Sequence, residues 1–461
     1  MLDCGAGGGR PVGRLAEPSC FRIPIVLTPL MVAACGRSGT TALMSLLTAD
    51  PRVCCDRVYP YEHRYLTYFA KLAVLLERQD PTVRVTGKQL YDFGDAGFGS
   101  YPWDRAVAGL LGDPASAAGA MAKRWLRSLW DVFGQHVAEA APGAAFYAEK
   151  VPAWLPPVVR ECFDSLTLYL FRDPRDIYLS ANAFMRKRGR PGFDRLPADT
   201  DRDYARTLAH GFLNYFENYF MDRYRDDHMV VRYEELVQQP DHLAARLEQR
   251  LQLHLRWDAP GSWLEMHRTS SDLARSVDRW QREPLPEGVA GFLETYLRAE
   301  MAHLGYAPGA ARRQDPLPSL EFRSGALDLG RAPCSADGQV DLQPDAAEAR
   351  VTGGDFWMIL PLPSFDAGAV REIWVSLKGA VGDSCSVYWR GDAGDFSEER
   401  CLRLPYRGAQ HWQVLRFRVA QHPLWTGSIA GLRLDPFNET GPPMRPVSAR
   451  SGFIRWLRLV E

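Results

Sequence analysis

Residues 31–47, MVAACGRSGTTALMSLL, carry the strongest local signal in the chain. An apolar segment leads into a turn flanked by Gly36 and Gly39, and an apolar helical pattern begins directly after the turn. A strand, a turn and a helix in this order are typical of an anion-binding loop, because the first backbone N–H groups of a helix point outward and the helix dipole favours negative charge there. The pattern therefore predicts an anion site where a strand ends and a helix begins.

The turn departs from the Walker pattern GxxxxGK[ST] of nucleoside triphosphate-binding loops. When Gly39 is aligned with the second Walker glycine, Thr40 replaces the lysine that reaches the terminal phosphates, and Ala34 replaces the first glycine. The positive charge lies earlier, at Arg37, and a second hydroxyl follows at Thr41. The loop is suited to holding an anion and poorly suited to hydrolysing a nucleoside triphosphate. An ordinary strand-to-helix turn is the alternative interpretation.

A second motif of the same kind occupies residues 166–184, LTLYLFRDPRDIYLSANAF. The apolar strand pattern ends before Arg172, a turn with Pro174 follows, and Ser180 lies about one turn into the next helix. Ligands bind at the carboxyl ends of strands in open α/β sheets, and a guanidinium with a hydroxyl suits a phosphate monoester. The alternative is a structural salt-bridge cluster of Arg172 and Arg175 with the neighbouring aspartates.

Together the two motifs resemble the sulfotransferase family that depends on 3′-phosphoadenosine 5′-phosphosulfate (PAPS). The family's signatures are a [KR]SGTT loop and an R[DN]P[RK]D turn followed by Ser; here they stand as GRSGTT at 36–41 and RDPRDIYLS at 172–180. The resemblance covers about residues 28–306, and it implies that the first loop grips the 5′-phosphosulfate and the second motif the 3′-phosphate. The implied cofactor-binding residues are Arg37, Ser38, Gly39, Thr40 and Thr41 in the first loop, and Arg172 and Ser180 in the second motif.

Further segments are similar to the bacterial and tyrosylprotein sulfotransferase branch of that family. Glu62, in PYEHRYL, has an E-x-R context like that of the branch's catalytic base, and Lys150, in YAEKVPAW, resembles an N-K-x-P lysine that contacts the transferring group. HRTSSDLARSVDRW, residues 267–280, is similar to the loop that covers the nucleotide, and VRYEELV, residues 231–237, implies that Tyr233 lies near the adenosine. The covering loop adds Ser270 and Ser271 to the implied catalytic residues, and Ser276 and Arg279 to the implied cofactor-binding residues.

Sulfuryl transfer requires in-line geometry, and the acceptor hydroxyl must lose its proton. Glu62 is the expected general base, provided that it is partly buried. Lys150, Arg37 and the N–H groups of the first loop are expected to stabilise the departing adenosine bisphosphate. The sequence has no evident acidic cluster for Mg²⁺, so PAPS is the expected co-substrate and no metal is predicted.

The composition of the whole chain limits the partners. A net charge of -1, from 55 basic and 56 acidic side chains, gives no general attraction to nucleic acid or to an anionic membrane surface. Nine irregularly spaced cysteines with no CxxC pair favour a reducing, cytoplasmic location over a disulfide framework or a zinc site. The apolar run that begins near Ile23 is too short to span a bilayer, so no transmembrane segment is expected, and residues 1–22 are predicted to be a disordered leader.

Short apolar runs alternate with helical patterns up to residue 306, which predicts a P-loop-type α/β three-layer sandwich with a central parallel sheet. Residues 23–306 are the predicted PAPS-binding domain, and residues 307–320, rich in Pro and Ala, are the predicted linker. Residues 321–461 alternate aromatic and polar positions between regular turns, which predicts an antiparallel β-sandwich with carbohydrate binding as one candidate role. The predicted strands of the parallel sheet are 30–35, 145–148, 166–171 and 229–232.

The predicted sandwich bears on the acceptor because it is rich in tryptophan. One residue in two faces the core of such a sheet, so most of the indoles are expected to pack there, which leaves one or two to stack on sugar rings. This favours a glycan or glycolipid acceptor over a protein tyrosine by a small margin. Two other function classes stay open at this point, a P-loop nucleotide kinase and a non-catalytic glycan-binding protein. The tryptophans are Trp357, Trp374, Trp389, Trp412, Trp425 and Trp456.

Overall fold

The computed structural model describes residues 27–55, 61–62, 64–77, 114–256, 269, 272–309, 317–328, 333–379, 384–405, 409–438 and 450–461. The predicted leader lies outside these ranges, as do Ser270 and Ser271. Among the described helices, none combines the length and the apolar character that crossing a bilayer requires.

The first two thirds of the chain alternate strands with helices. The strands are β1 Thr28–Ala33, β2 Val53–Cys54, β3 Phe146–Val151, β4 Leu166–Phe171 and β5 His228–Arg232. The helices are α1 Thr40–Leu47, α2 Tyr65–Glu77, α3 Pro114–Ala140, α4 Leu155–Arg160, α5 Pro174–Arg188, α6 Asp201–Asp222, α7 Tyr233–Gln238, α8 Pro240–Leu251, α9 Val289–Tyr296 and α10 Arg298–His303. Two 3-10 turns, Ala274–Ser276 and Arg279–Gln281, lie in the predicted covering loop.

The five strands form one parallel sheet in the order β2-β3-β1-β4-β5. Strands β3, β1 and β4 are neighbours, so the segments that follow them open at the same edge of the sheet. This order brings Lys150, the 36–41 loop and Arg172 together although they lie far apart in the sequence.

Helices cover both faces of the sheet, which confirms the predicted α/β class. In β1, Leu30 and Val32 pack with α1, α7 and α8, whereas Met31 and Ala33 pack with the opposite layer, which includes α2 to α6 and α9. Every position of such a strand is covered, which explains why β1 reads as a continuous apolar run rather than an alternating one.

Helix α5, which carries Ser180, has clear start and stop signals. The Asp173 carboxylate accepts a hydrogen bond from the Arg175 N–H at 2.9 Å, and Pro174 occupies the first helical position. Gly189 ends the helix with a φ of 66°, in the left-handed region that glycine adopts most easily. These local signals fix the position of Ser180 relative to the end of β4.

The C-terminal part is an antiparallel β-sandwich, as predicted. One sheet has the order β14-β11-β17-β8-β7 with β6 paired to β17, and the facing sheet has the order β13-β12-β16-β9. A short pair, β10 with β15, lies beside them, and apolar side chains fill the space between the two sheets. The strands are β6 Ser319–Glu321, β7 Gly338–Leu342, β8 Ala347–Val351, β9 Met358–Leu360, β10 Phe365–Asp366, β11 Glu372–Gly379, β12 Ser384–Arg390, β13 Cys401–Pro405, β14 Ala409–Phe417, β15 Ser428–Ile429, β16 Gly431–Asn438 and β17 Arg450–Val460.

Helix α6 docks against β14, the edge strand of the larger sheet. Asn218 exchanges hydrogen bonds with the Trp412 backbone at 2.9 and 3.0 Å. One turn earlier, Asn214 accepts from the Val414 N–H at 3.0 Å, and the His210 ring nitrogen lies 2.7 Å from the Val414 carbonyl oxygen. The helix thereby satisfies backbone groups that an open strand edge would expose.

A buried charge lies in the same contact. Glu217, which is fully buried, accepts hydrogen bonds from the Ser376 hydroxyl at 2.8 Å, from Arg455 at 2.5 Å and from the Trp456 indole N–H at 3.0 Å. Removing one partner of a buried ion pair is strongly destabilising, because it leaves an uncompensated charge. The α/β part and the sandwich are therefore joined by a specific polar contact rather than by the chain alone.

The prediction that most tryptophans of the sandwich serve packing is confirmed, but only Trp389 and Trp425 pack between its two sheets. Five of the six are buried, and Trp374 and Trp456 pack with the α/β helices rather than between the two sheets. Trp357 is half-buried, with the guanidinium carbon of Arg433 at 5.0 Å from its ring centre.

Candidate active site

The loop between β1 and α1 is wedged against Tyr233. Arg37 has a φ of 69° and Gly39 a φ of 96°, so both residues are in the left-handed region. A Cβ atom at Gly39 would lie 2.3 Å from Cδ2 of Tyr233, closer than any side chain tolerates. Glycine is therefore required at position 39 both for its backbone conformation and for the close approach of the ring.

Arg172, at the end of β4, ties this loop to the covering loop. Its Nη1 donates to the Arg37 carbonyl oxygen at 3.0 Å, and its Nη2 donates to the Ser276 carbonyl oxygen at 2.6 Å. The guanidinium carbon lies 4.3 Å from the centre of the Tyr233 ring, and the Tyr233 hydroxyl lies 2.7 Å from Ser276 Oγ. One arginine thus contacts the first loop, the residue after β5 and the covering loop.

A chain of polar contacts runs from Arg37 to Arg279. Arg37 Nε donates to Ser180 Oγ at 3.2 Å, and Ser180 Oγ lies 3.3 Å from Thr269 Oγ1. Arg279 Nη1 donates to the same Thr269 oxygen at 3.3 Å, and Arg279 Nε donates to Glu283 at 2.7 Å. The Arg37 guanidinium of the first motif therefore contacts the Ser180 hydroxyl of the second motif.

The three clustered arginines, Arg37, Arg172 and Arg279, are suited to binding a multiply charged anion. Burial, together with the charges of Arg172 and Arg279, lowers the pKa of Arg37 to about 10. Arg172 and Arg279 are themselves only 4% and 5% exposed, and within the described ranges Arg172 Nε is a buried donor without a hydrogen-bond acceptor. Such crowding of like charges is unfavourable in itself, and a phosphate monoester would both neutralise it and supply the missing acceptor.

The two arginines of the second motif have different partners. Arg175 forms the structural salt bridges, with Asp173 at 2.6 Å and Glu294 at 2.7 Å, and its guanidinium carbon lies 3.5 Å from the Trp280 ring centre. Arg172 instead directs both Nη groups to backbone carbonyl oxygens. Arg175 is therefore fully engaged in structural ion pairs, whereas Arg172 links two loops of the candidate site.

Lys150 reaches the first loop from β3. Its Nζ donates to Thr41 Oγ1 at 2.9 Å and lies 3.9 Å from Glu62 Oε1. Burial lowers the pKa of Lys150 to about 8, against the opposing effect of the Glu62 charge. The Glu62 side chain is 55% exposed and thus only partly buried, and its connection to the site is the ion pair with Lys150.

Glu149, the neighbour of Lys150, is buried against the start of α2. It is 1% exposed and accepts hydrogen bonds from the Leu66 N–H at 2.8 Å and the Thr67 N–H at 2.9 Å. These are donors in the first turn of α2, which have no partner within their own helix. A buried carboxylate on β3 therefore fixes the start of α2, immediately after Glu62 in the sequence.

The candidate reactive side chains open into one cleft of about 780 Å³, a volume in the usual range for ligand sites. In the described part of the chain its lining has one carboxylate, Glu62, against five cations. The five cations are Arg37, Arg64, Lys150, Lys187 and Arg188, and the aromatic lining residues are Phe184, Phe193 and Tyr215. Among the described residues, no group of three or more His, Cys, Asp or Glu side chains is arranged to hold a metal ion.

Comparison with known families identifies the family. A family model described as the sulfotransferase family matches residues 29–259, which is half of the chain. That span contains the two sequence motifs at 36–41 and 172–180, together with Glu62 and Lys150. The chain belongs to the sulfotransferase family. It is therefore a PAPS-dependent sulfotransferase, and the resemblance drawn from its two motifs is confirmed.

The sulfotransferase is also similar to solved structures at low identity. The sulfotransferase domain from the curacin biosynthetic pathway is 16% identical, with 61% of this chain and 99% of that domain covered and a TM-score of 0.37. The sulfotransferase domain of the Synechococcus PCC 7002 olefin synthase is 18% identical, with coverage of 61% and 96% and a TM-score of 0.36. A low-affinity xylan-binding module from Roseburia intestinalis is 10% identical, with coverage of 31% and 95% and a TM-score of 0.22. A comparison with curated proteins finds no significant match.

Most of the site residues predicted for the sulfotransferase lie in one region. Arg37, Thr40, Thr41, Glu62 and Lys150 line the cleft. The adjoining polar group contains Arg172, Ser180, Tyr233, Ser276 and Arg279, and Ser38 is buried in the loop beside them. Ser270 and Ser271 lie outside the described residues.

Three residues of the site were not predicted. Phe184 lies four residues after Ser180, one turn along α5, and its ring centre is 4.4 Å from the Arg37 guanidinium carbon, so helical spacing carried a signal. Thr269 directly precedes the predicted serines of the covering loop and could have been included with them. Glu149 carried no usable signal, because the helix that it caps lies 83 residues earlier in the chain.

Proposed function

We propose that this sulfotransferase transfers the sulfuryl group of PAPS to a hydroxyl of a carbohydrate. The observation that carries the proposal is the pairing of two cationic groups, the crowded arginines Arg37, Arg172 and Arg279 on one side and the buried Lys150 on the other. A ligand with two separate anionic ends, a 3′-phosphate and a 5′-phosphosulfate, matches both groups at once.

The cofactor roles follow from these contacts. Arg172, Ser180 and Arg279 hold the 3′-phosphate, and Arg37 is shared between the two ends because its backbone belongs to the first loop while its Nε contacts Ser180. The loop N–H groups and the two threonine hydroxyls at the start of α1 hold the 5′-phosphosulfate. Ser38 and Gly39 shape the loop, and Tyr233 with Ser276 braces Arg172.

The reactive roles fall to the side chains of the cleft. PAPS, when bound, supplies the sulfuryl group. Lys150, beside Thr41, provides positive charge where negative charge develops on the leaving side. Glu62 accepts the proton of the acceptor hydroxyl, and its ion pair with Lys150 holds the carboxylate at the cleft.

Replacing Glu62 with glutamine is expected to lower kcat about 100-fold. This is the lower end of the usual contribution of a general base, ~10²–10⁴, because a side chain that is more than half exposed can be replaced in part by water. The affinity for adenosine 3′,5′-bisphosphate should stay within a few fold, since Glu62 contacts none of the three arginines proposed to bind the nucleotide, Arg37, Arg172 and Arg279. Transfer of labelled sulfuryl measures kcat, and titration calorimetry measures affinity.

Glu287→Gln, at an exposed carboxylate outside the cleft lining, is the matched control for this substitution. Normal turnover of Glu62→Gln across the whole pH range would remove Glu62 from the reaction. The base would then be sought elsewhere, first at His63, which lies outside the described residues.

The carbohydrate part of the proposal is supported by how the β-sandwich is attached. Tyr215 of α6 lines the cleft, and two residues later Glu217 is buried against the sandwich. One helix therefore connects the cleft to the sandwich, and Trp357 keeps part of its indole accessible. We propose that residues 23–306 are the catalytic domain, that 307–320 link the two parts with their last two residues already in β6, and that 321–461 contact the sugar acceptor.

Labelled PAPS and a panel of acceptors test the acceptor class. The panel contains a polysaccharide, a glycolipid and a tyrosine peptide, and the sulfated product is separated and counted for each. Transfer to the polysaccharide or the glycolipid is the expected result. Transfer to the tyrosine peptide alone would replace the carbohydrate with the protein alternative.

We also propose a cytoplasmic location for the enzyme. The proposal rests on the irregular spacing of the nine cysteines, which is typical of proteins that stay in a reducing compartment. Fractionation of the cells that produce the enzyme would test it directly.

A further inference from the structure

The cleft holds more positive charge than the proposed PAPS contacts use. Of its five lining cations, Arg37 and Lys150 are assigned to the cofactor, whereas Arg64, Lys187 and Arg188 have no such assignment. Glu62 is the one carboxylate in the described lining. The surplus charge lines the same cleft as Glu62 and Lys150.

Lys187 and Arg188 belong to the last turn of α5, the helix that carries Ser180. Both side chains are exposed, and the guanidinium carbon of Arg188 lies 5.4 Å from the centre of the Phe184 ring. The same ring lies 4.4 Å from the guanidinium carbon of Arg37. The Phe184 ring therefore lies between Arg188, which is open to solvent, and Arg37, which is proposed to bind the nucleotide.

Arg64 brings positive charge to the cleft from a different element. It directly precedes α2, whose first turn Glu149 caps, and its charge helps to lower the pKa of Lys150. The reactive pair of Glu62 and Lys150 is thus approached by cations from the start of α2 and from the end of α5. A single helix end does not account for this arrangement.

The helix dipole gives a structural reason for cations in the last turn of α5. Arg186 meets that requirement equally well, since it is in the same turn and is exposed, but it does not line the cleft. Arg186 is therefore a matched control, which separates an effect on the helix from an effect on the cleft.

We infer that the acceptor is an acidic sugar, whose carboxylate pairs with Lys187 and Arg188 while a neighbouring hydroxyl faces Glu62. Complementary charge of this kind raises the rate of encounter and rejects neutral competitors. Phe193, 37% exposed and part of the same lining, offers an aromatic face on which a sugar ring can stack. The inference rests on the proposed function, because it takes PAPS as donor and a carbohydrate as acceptor.

Two glycans that differ only in charge test the inference. Heparosan, an unsulfated glycan with a glucuronic acid in every repeat, is compared with the same glycan after chemical reduction of its carboxylates. The wild-type enzyme should show a KM for heparosan about 10-fold below that for the reduced glycan, and added NaCl should raise the heparosan KM. In the double variant Lys187→Ala/Arg188→Ala the heparosan KM should rise about 10-fold and the preference should shrink to within about twofold, with kcat nearly unchanged. Arg186→Ala should behave as the wild type.

Several results would overturn the inference while leaving PAPS-dependent transfer intact. These are equal KM values for the two glycans, an unchanged heparosan KM in the double variant, and transfer to an acidic tyrosine peptide without transfer to heparosan. A 10-fold loss of affinity for adenosine 3′,5′-bisphosphate in the double variant would instead assign the two cations to the nucleotide. Failure of the proposed function looks different, since the wild type would then neither bind adenosine 3′,5′-bisphosphate nor sulfate any acceptor.

Discussion

Replacing Arg172 with alanine is expected to weaken the binding of PAPS about 1,000-fold while changing the binding of adenosine 5′-phosphosulfate only a few fold. The two ligands differ only in the 3′-phosphate, which Arg172 is proposed to hold. Two charge-assisted hydrogen bonds at roughly 1.5–3 kcal/mol each give a loss of about 4 kcal/mol, which corresponds to about 1,000-fold in Kd. Titration calorimetry with both ligands measures the difference.

Arg172 also supports the protein itself, through its bonds to the carbonyl oxygens of Arg37 and Ser276. The melting temperature of the variant must therefore be recorded, and Arg172→Lys provides a second test that keeps the charge but loses the paired Nη donors. We expect an intermediate loss of PAPS affinity for Arg172→Lys. Equal losses for the two ligands in a folded variant would contradict the assignment of the 3′-phosphate to this residue.

The meeting of the motifs at 36–41 and 172–180 could be predicted from sequence because each is specified locally. A buried strand reads as an apolar run, and glycine or proline turns and helix caps such as Asp173 mark where the next helix begins. The carboxyl ends of adjacent parallel strands then share an edge, whatever the length of the connections between them. Both the α/β class and the region of the site follow from these short-range signals.

The position of Lys150 shows where such signals fail. The predicted strand ended at residue 148, before the charged pair Glu149 and Lys150. In the structure β3 continues to Val151, and Lys150 is in register with Val32 of β1. Both charged side chains are buried by distant partners, Glu149 by the start of α2 and Lys150 by Thr41, and one sequence does not reveal such partners.

The contact between α6 and the sandwich was beyond prediction for the same reason. The sequence of α6 shows an aromatic and apolar helical pattern, which indicates core packing but not with what. Asn214 and Asn218 complete the backbone of an edge strand that follows about 200 residues later in the chain. An asparagine in a helical pattern usually predicts a solvent-exposed position. Its hydrogen bonds to a distant strand become visible only in the tertiary structure.

Replacing Lys150 with alanine is expected to lower kcat about 1,000-fold and to leave the Kd for adenosine 3′,5′-bisphosphate within a few fold. Positive charge placed where negative charge develops is worth ~10²–10³ in rate. Lys150 donates to Thr41, whereas the 3′-phosphate is assigned to Arg172 and Arg279. Lys123→Ala, which removes a 43% exposed lysine paired with Glu161, controls for the loss of a lysine as such.

The pH dependence separates an electrostatic role of Lys150 from a packing role. Burial holds the pKa of Lys150 at about 8 in the ligand-free enzyme, below that of an ordinary lysine. In the proposed electrostatic role the protonated form is the active one, so kcat/KM, which reports on the free enzyme, should be highest below that value and fall as the pH rises through it. Lys150→Arg keeps its charge at all these pH values, and its profile should lose the alkaline decline even if its maximum rate is lower. If the decline near pH 8 persists in Lys150→Arg, another group is titrating and Lys150 acts only by filling space beside Thr41.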